Sequence, residues 1–268
     1  MADLLFELTQ VHYAYLGKIP ALRGVDLAVQ AGAKIAVVGA NGSGKSTLLT
    51  MLDALIFPDS GGIKAFGKTI TEEALNDPDF SQFFRSNVAF LFQNPDIQLF
   101  CPTVKEDIIF GPLQLGVSHA EINKRLDKVV TELKITHLLE RAPHQLSIGE
   151  KRKVALAGVI AIDPQVLLLD EPTAGLDPKT TRDIVDMLLA QNQAGKTIIT
   201  ATHDMHIVEE IADIAYVFGA DKKIVRSGAP DEILSDQQFL KEHNLAHIHR
   251  HRHQGEPHVH AHSHLDHY

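Results

Sequence analysis

The sequence predicts an α/β fold with a mostly parallel central sheet. Short apolar runs recur at Ile35–Val38, Val166–Leu169 and Thr197–Thr200, and their length and composition are typical of strands buried on both faces. A helical pattern over about residues 179–193 separates the last two runs. This alternation of strand and helix is the pattern of parallel sheets with helical crossovers.

The segments before the first apolar run predict a small antiparallel sheet. Phe6–Val11 and Val25–Val29 alternate apolar and polar side chains, as half-exposed strands do. We expect these strands to be joined through Gly17 and Gly24.

The middle of the chain predicts further elements of both kinds. Thr47–Leu55 has a helical pattern, and Gly61–Phe66 and Val88–Phe92 have strand patterns. Residues 103–163 are mainly helical. We therefore expect a helical subdomain at about residues 95–163.

The last part of the chain changes character abruptly. Ala215–Phe218 predicts a strand that enters a hairpin through Gly219–Lys222. From His243 onward the composition becomes rich in histidine. We expect one folded domain over residues 3–240 and a flexible tail over residues 241–268.

The charge of the chain argues against nucleic acid as a partner. The net charge is −9, and the tail balances Arg250 and Arg252 against Glu256 and Asp266, so the acidity belongs to the folded body. An acidic body disfavours binding to a phosphate backbone and direct attraction to anionic lipid. At a membrane, another protein would have to hold this chain.

Several features predict a protein of the cytoplasm without a membrane span. The longest apolar run, Val154–Ile162, is far shorter than the ~20 residues that a spanning helix needs. The first residues lack a basic region followed by an apolar stretch, so no secretory signal is expected. The single cysteine, Cys101, permits no internal disulfide and suits a reducing compartment.

A glycine-rich segment follows the first apolar strand and predicts a nucleotide site. It reads Gly39-Ala40-Asn41-Gly42-Ser43-Gly44-Lys45-Ser46-Thr47 and fits the pattern G-x-x-x-x-G-K-[ST]. The glycines allow a tight turn that directs backbone N–H groups at phosphate oxygens, and the following helix adds its positive end. Lys45 would reach the β- and γ-phosphates, and the Ser46 hydroxyl would ligate Mg²⁺. The alternative is a structural turn with a surface lysine.

Two carboxylates end the apolar strand Val166–Leu169. Asp170 is expected to hold Mg²⁺, and Glu171 to polarise the water that attacks the γ-phosphate. His203 ends the next strand and could donate a hydrogen bond to the γ-phosphate. The alternative for the acids is an ordinary exposed turn.

Six motifs in this order make the chain resemble ATP-binding-cassette ATPases over about residues 3–235. They are the loop Gly39–Thr47, Gln93, the segment Leu146-Ser147-Ile148-Gly149-Glu150, the acids Asp170 and Glu171, the turn Ala174-Gly175-Leu176-Asp177, and His203. The resemblance implies a RecA-like core, ATP with Mg²⁺ as cofactors, and ATP hydrolysis as the activity.

The resemblance also implies individual roles. Tyr15 would stack on adenine, although a strand aromatic packing in the small sheet is the alternative, and Gln93 would sense Mg²⁺ or the water and couple to a membrane partner. Ser147 and Gly149 would touch the γ-phosphate bound to the opposite subunit, and Asp177 would lie at the dimer interface. The functional unit would be a dimer, of identical or different subunits, with two shared sites.

The segment at residues 146–150 departs from the usual Leu-Ser-Gly-Gly-Gln of this family. Ile148 replaces a glycine and Glu150 replaces the glutamine. Ser147 and Glu150 nevertheless have the spacing of a capping box, which would open a helix over Lys151–Ile162. Because Ile148 is stiff and disfavours positive φ, the loop should use an ordinary backbone conformation. The departure bears on rate rather than on the identity of the site.

The segment from Phe92 to Pro112 resembles energy-coupling-factor-type importers of vitamins and of cobalt or nickel. Only 102 positions separate Lys45 from Ser147, which leaves no room for the coiled-coil insertion of chromosome-maintenance relatives. This resemblance implies a membrane-embedded coupling protein and a substrate-capturing membrane subunit as partners. It places the chain peripherally on the cytoplasmic face of the cell membrane.

Ten of the sixteen histidines lie between His243 and His267. Imidazole suits nickel, copper and zinc, and we therefore consider the tail a candidate Ni²⁺ or Co²⁺ ligand. Eight of these histidines alternate with other residues: His247, His249, His251, His253, His258, His260, His262 and His264. The alternative is a solvated tail with incidental histidines.

The sequence thus predicts an ATPase subunit that drives uptake of nickel or cobalt. Within the same group, a vitamin importer is the rival interpretation. A metal-buffering protein whose cassette only regulates is a rival of another class. A cassette protein of DNA repair is disfavoured by the acidic body.

Overall fold

The computed structural model describes residues 3–245, 248–253 and 256–261. The strands are β1 (Leu4–Tyr15), β2 (Ile19–Gln30), β3 (Lys34–Gly39), β4 (Ser60–Ala65), β5 (Lys68–Thr69), β6 (Val88–Leu91), β7 (Val166–Asp170), β8 (Thr197–Thr202), β9 (Ile214–Phe218), β10 (Ile224–Gly228), β11 (Ile248–His253) and β12 (Glu256–Ala261). The α-helices are α1 (Lys45–Leu52), α2 (Glu72–Leu75), α3 (Pro78–Asn87), α4 (Val104–Gln114), α5 (His119–Glu132), α6 (Ile148–Ala161), α7 (Pro178–Gln193), α8 (Met205–Ile211), α9 (Pro230–Leu234) and α10 (Gln237–Glu242).

The central sheet has six strands in the order β10-β9-β3-β8-β7-β6. Strands β9, β3, β8, β7 and β6 are parallel, and only β10, at the edge, runs antiparallel to its neighbour. Every residue of β7 and β8 is buried, as their continuous apolar composition predicts. The predicted α/β fold with a mostly parallel sheet is confirmed.

Both faces of this sheet are covered. Leu167 and Leu169 of β7 pack into the core formed with α4, α5, α6 and α7, whereas Val166 and Leu168 pack into the core formed with α1, α3 and the N-terminal strands. Successive side chains of a strand point to opposite faces, so this one strand contributes to both layers.

The predicted N-terminal antiparallel sheet is also confirmed, with the order β2-β1-β4-β5. The connection between its first two strands differs from the expectation, because β2 already begins at Ile19 and Gly24 lies inside it. Gly24 has φ +69° and falls between the pairs Val11–Val25 and His12–Arg23. It is therefore the extra residue of a β-bulge rather than part of the turn.

Two further boundaries differ from the sequence prediction. Helix α1 ends at Leu52 rather than Leu55, since Ala54 has φ +53°. Packing of the folded body extends past residue 240, because α10 runs to Glu242 and Leu245 is buried against the core of β9 and α9. A truncation that removes only the tail must therefore begin after Leu245.

The histidine-rich tail contains an antiparallel pair of short strands, β11 and β12. In its register His249 is opposite His260, and His251 is opposite His258. His247, His262 and His264 lie outside the described residues. The flexibility expected of this tail stays a prediction. Among the described residues, no helix is both long and apolar enough to cross a bilayer.

Candidate nucleotide-binding site

Sheet topology brings the predicted site residues to one edge. The strands β3, β8 and β7 are direct neighbours and run in the same direction, so their carboxyl ends meet. The glycine-rich loop follows β3, Asp170 and Glu171 lie at the end of β7, and His203 follows β8. The parallel arrangement of these neighbouring strands thus brings together residues that are far apart in the sequence.

Three glycines of the loop are required by space or by backbone conformation. A Cβ at Gly44 would lie 2.4 Å from the carbonyl oxygen of Ala21, and φ at this residue is +118°. A Cβ at Gly39 would lie 2.9 Å from the carbonyl oxygen of Phe218. Gly42 has φ +76°, a conformation that favours glycine. The loop therefore fits tightly between β2 and β9.

Lys45 is buried at the start of α1, with 5% of its surface exposed. Its Nζ donates hydrogen bonds to the carbonyl oxygens of Gly39 at 2.7 Å and Ala40 at 3.3 Å, and lies 4.0 Å from Oε1 of Glu171. Burial lowers the pKa of this amine, while the carboxylates of Glu171 and Asp170 oppose the change. The side chain is held over the loop, where an anionic phosphate would complete its coordination.

Asp170 and Ser46 form a pair of oxygen donors that fits Mg²⁺. Oδ1 of Asp170 is buried without a hydrogen-bond partner among the described residues. Burial raises the pKa of this carboxyl, and the hydrogen bond with Ser46 is the main opposing effect. Mg²⁺ prefers one or two protein oxygens together with phosphate and water. Gln93, the other predicted ligand, is exposed and follows the neighbouring strand β6.

Glu171 is fixed by two neighbours at the end of β8. Its Oε1 lies 2.7 Å from Nδ1 of His203, and its Oε2 accepts a hydrogen bond from the Thr202 hydroxyl at 3.2 Å. The residue is 4% exposed and has φ +48°, a strained conformation for a side chain of this size. The geometry presents one carboxylate in a defined orientation beside the loop, as a water-polarising group requires.

Tyr15 lies next to the loop. Its hydroxyl is 3.1 Å from Oγ1 of Thr47, and its ring packs edge-on against Tyr13 with 5.0 Å between centroids. The residue is 42% exposed. Tyr15 thus packs within the small sheet while remaining partly exposed, and its stacking on adenine stays a prediction.

The segment around Ser147 begins α6 on a different part of the surface. Helix α6 starts at Ile148 rather than at the expected Lys151, because Ser147 itself is the N-cap. Glu150 accepts hydrogen bonds from the backbone N–H and the hydroxyl of Ser147, both at 2.8 Å. These bonds are the main reason that the pKa of Glu150 is lowered. Ile148 is 66% exposed.

Gly149 and the turn at Asp177 are adjacent. A Cβ at Gly149 would lie 3.5 Å from the methyl group of Thr180 and 4.0 Å from Leu176. Asp177 caps α7 by accepting hydrogen bonds from the backbone N–H and the hydroxyl of Thr180. The exposed helix start at Ile148 and this exposed turn thus form one surface, as the predicted subunit interface requires.

Sequence reasoning missed Arg152. This buried residue of α6 donates a hydrogen bond of 2.9 Å to the carbonyl oxygen of Phe92, directly before Gln93. Burial lowers the pKa of Arg152, and Asp170 and Glu171 oppose the change. The arginine connects the helix that begins at Ser147 to the Gln93 segment. In the sequence it sits between Lys151 and Lys153, so nothing distinguishes it from a solvated basic cluster.

A model of the ABC transporter family matches residues 22–174, which contain the glycine-rich loop, Gln93, Ser147 and both carboxylates. The chain belongs to this family. Nickel import ATP-binding protein NikO of Rhodobacter capsulatus is 46% identical over 243 residues, covering 90% of this chain and 95% of NikO. Energy-coupling factor transporter ATP-binding protein EcfA of Methanoculleus marisnigri is 40% identical over 243 residues, covering 90% of this chain and 85% of EcfA.

Solved structures agree with this assignment. CbiO1 from Clostridium perfringens, described as part of the ABC transporter complex CbiONQ, is similar with a TM-score of 0.76 and 35% identity, covering 91% of this chain and 95% of CbiO1. The cassette MJ0796, solved as a dimer with ADP and Pi after hydrolysis, is similar with a TM-score of 0.75 and 25% identity, covering 84% and 99%. The ABC ATPase resemblance of the sequence is confirmed, and the chain is an ATP-hydrolysing enzyme of this family.

Proposed function

We propose that this ABC ATPase powers the import of nickel or cobalt ions as one subunit of a membrane complex. It works as a dimer on the cytoplasmic face, with a membrane-embedded coupling protein and a substrate-capturing membrane subunit. The observation that carries the proposal is the cluster of Lys45, Asp170, Glu171 and His203 at one edge of the sheet. The relative named for nickel import supports the choice of a metal cation as cargo, and the similarity to CbiO1, part of the CbiONQ complex, supports a transporter of several subunits.

The cluster divides the chemistry among its side chains. Lys45 and the N–H groups at the start of α1 bind the phosphates of ATP. Ser46 and Asp170 would hold Mg²⁺, which supplies charge neutralisation at the phosphate oxygens. Glu171 orients and polarises the attacking water, and His203 keeps this carboxylate in place through Nδ1; its Nε2 donates toward the γ-phosphate when both ring nitrogens carry a proton.

A dimer follows from the position of the second phosphate-binding element. Ser147 and Gly149 lie on an exposed surface with Ile148 and the Asp177 turn. Such a helix start can serve the ATP of another subunit because its own surroundings leave it open. The solved dimer of the similar cassette MJ0796 supports this arrangement. The choice between identical and different subunits depends on the complex.

The surface beside Gln93 supports a membrane-bound partner. Ile97, Phe100, Phe110 and Leu113 are exposed apolar residues on the segment that follows Gln93. A cavity of about 310 Å³, lined largely by apolar side chains of β6, α4 and α6, lies beside them. We propose that an apolar cytoplasmic segment of the coupling protein binds there, because a change at this surface reaches Gln93 through only a few residues.

The cargo is tested by uptake in a complex reconstituted from the chain and the membrane proteins that copurify with it. We expect ATP-dependent accumulation of radioactive nickel or cobalt, and its loss when Glu171 is replaced by Gln. Stimulation of the ATPase by a vitamin without cation uptake would establish the rival importer. A negligible ATPase rate with stoichiometric metal binding would establish the metal-buffering alternative.

The role of the tail is tested by truncation after Leu245. We propose that the alternating histidines bind Ni²⁺ or Co²⁺, and truncation should then remove most metal binding while ATPase activity in the absence of partners remains. Binding by the full chain should weaken below pH ~6, because only neutral imidazole is a ligand and free histidine titrates near pH 6.5. Titration calorimetry of both proteins at two pH values measures this. Equal metal binding by both proteins would contradict the proposal.

A further inference from the structure

We propose that Lys222 is a positioning residue of the ATP site, which fixes the glycine-rich loop at a different carbonyl group from those that Lys45 contacts. Lys222 lies in the turn between β9 and β10, far from the loop in sequence. Its ammonium group donates a hydrogen bond to the carbonyl oxygen of Gly42. The inference rests on the role of the loop in binding ATP and extends it to a residue outside every motif of the sequence.

The turn that carries Lys222 is firmly anchored. The backbone N–H of Lys222 donates to the carbonyl oxygen of Gly219 at 3.2 Å, and its own carbonyl oxygen accepts from the N–H of Arg23 at 3.0 Å. The preceding strand residue, Phe218, is in contact with the loop at Gly39. The turn therefore lies against the loop through its backbone, and the position of the Lys222 side chain follows from that packing.

The backbone conformation of Lys222 is unusual for a lysine. The residue has φ +69°, in the left-handed region that favours glycine. A lysine there carries a conformational cost that glycine would avoid. Strained residues persist where the surrounding structure fixes them, and they concentrate at functional sites. The contact between the Lys222 side chain and the loop offers a functional reason for a non-glycine residue in this strained conformation.

The two lysines together hold three carbonyl groups of the loop. Lys45 binds the carbonyl oxygens of Gly39 and Ala40, and Lys222 binds that of Gly42. The next N–H, of Ser43, donates to the Ala40 carbonyl oxygen at 3.1 Å. The planar peptide between Gly42 and Ser43 is thereby held at both ends. Fixing this peptide fixes the turn into α1, whose first N–H groups are the phosphate donors.

The positive charge of Lys222 should also favour ATP binding. A second ammonium group beside the loop raises the positive potential that attracts the polyphosphate of ATP. The adjacent Lys223 offers a matched comparison, since its side chain is exposed whereas that of Lys222 is partly buried. Only the first of these neighbouring lysines contacts the loop.

The test compares three substitutions in the full chain: Lys222→Gly, Lys222→Arg and Lys223→Gln. We expect Lys222→Gly to weaken ATP binding about three- to tenfold, because a charge-assisted hydrogen bond is lost at a partly exposed site. Lys222→Arg should bind within about twofold of the wild type, and Lys223→Gln should bind as the wild type does. In steady-state assays, the loss for Lys222→Gly should appear in KM rather than in kcat.

Thermal unfolding without nucleotide separates this effect from a folding defect. Glycine relieves the strained φ at residue 222, so the melting temperature of Lys222→Gly should not fall. Unchanged ATP affinity in Lys222→Gly, or an equal loss in Lys223→Gln, would overturn the proposal. Lys45→Ala is the reference, because wild-type affinity in that variant would instead refute the role of the loop itself.

Discussion

The starts of α1 and α6 are the two proposed phosphate-binding elements of this molecule, and they are built differently. Helix α1 begins behind Gly44 without a side-chain cap and without an acidic residue in its first turn. Helix α6 begins at an exposed position, and a reciprocal capping box satisfies the backbone N–H groups of Ser147 and Glu150 but not those of Ile148 and Gly149. The first start therefore has no side-chain cap, whereas the second is partly capped by its own side chains and keeps two N–H groups for a ligand.

The difference between the two helix starts follows from the residues that surround each of them within one subunit. The start of α1 is surrounded by Lys45, Asp170 and Glu171, so a nucleotide with Mg²⁺ can be bound by this chain alone. The start of α6 is exposed, so water and its own capping box can satisfy its polar groups in the isolated subunit. This difference between the two helix starts agrees with the site shared between subunits that we propose.

The largest expected effect comes from the site at the start of α1. Replacing Glu171 by Gln keeps the volume of the side chain and removes the charge that polarises the water. We expect hydrolysis to fall by about 10²-fold or more, which is within the range for loss of a general base. ATP binding should persist, and size-exclusion chromatography should show a longer-lived ATP-bound dimer. Turnover at the wild-type rate would refute the role of Glu171.

A smaller effect is expected at the start of α6. The Glu150 carboxylate accepts both donors of Ser147 and adds a negative charge where a second negative charge, the γ-phosphate, has to approach. Replacing Glu150 by Gln keeps a capping acceptor and removes the charge. We expect the ATPase rate of the assembled enzyme to rise about two- to fivefold, whereas ATP affinity of the monomer stays the same.

Glu121 provides the matched control for this substitution. It occupies the same third position of α5, behind Ser118, but its carboxylate binds Arg125. Replacing Glu121 by Gln should leave the ATPase rate unchanged. If both substitutions change the rate equally, the effect belongs to helix capping and not to a charge beside phosphate.

The sequence predicts the local motif at each of these two helix starts but not the long-range contacts that support it. The glycine-rich loop and Asp170 are readable because phosphate binding imposes a fixed spacing of residue types on a contiguous segment. The capping box of Ser147 is readable for the same local reason. The contacts of Arg152 with Phe92 and of Lys222 with Gly42 join residues 60 and 180 positions apart. No local pattern marks such pairs, because only the fold brings them together.

The N-terminal strands also show that a local sequence pattern does not reveal which residues pair across strands. Alternation along Phe6–Val11 predicted a strand, but Gly24 was read as a turn because glycine signals both turns and bulges. Its pairing partners decide between the two, and those lie in another strand.

The smallest expected effect lies at the far end of α1 and concerns stability. Burial raises the pKa of Asp53 to about 7, although Arg85 opposes the change. A carboxyl with a raised pKa is most favourable to folding while protonated, so its contribution is present at acidic pH and is lost as the pH rises through about 7. The unfolded carboxyl ionises near pH 4, so this contribution declines between about pH 4 and pH 7, and replacing Asp53 by Asn should increase the free energy of unfolding by ~1–3 kcal/mol at pH 8 and by less at pH 5. Urea unfolding at both pH values measures this, and equal effects at the two values would contradict the raised pKa.

We propose that ATP turnover needs the α1 start of one subunit and the α6 start of another. Mixing two inactive variants of the chain tests this requirement. In a dimer of Lys45→Ala and Ser147→Ala chains, one shared site contains both defects and the other contains neither. We expect each variant alone to be nearly inactive and the mixture to regain a substantial fraction of wild-type ATPase activity. Activity on mixing that equals only the average of the two separate variants would contradict it.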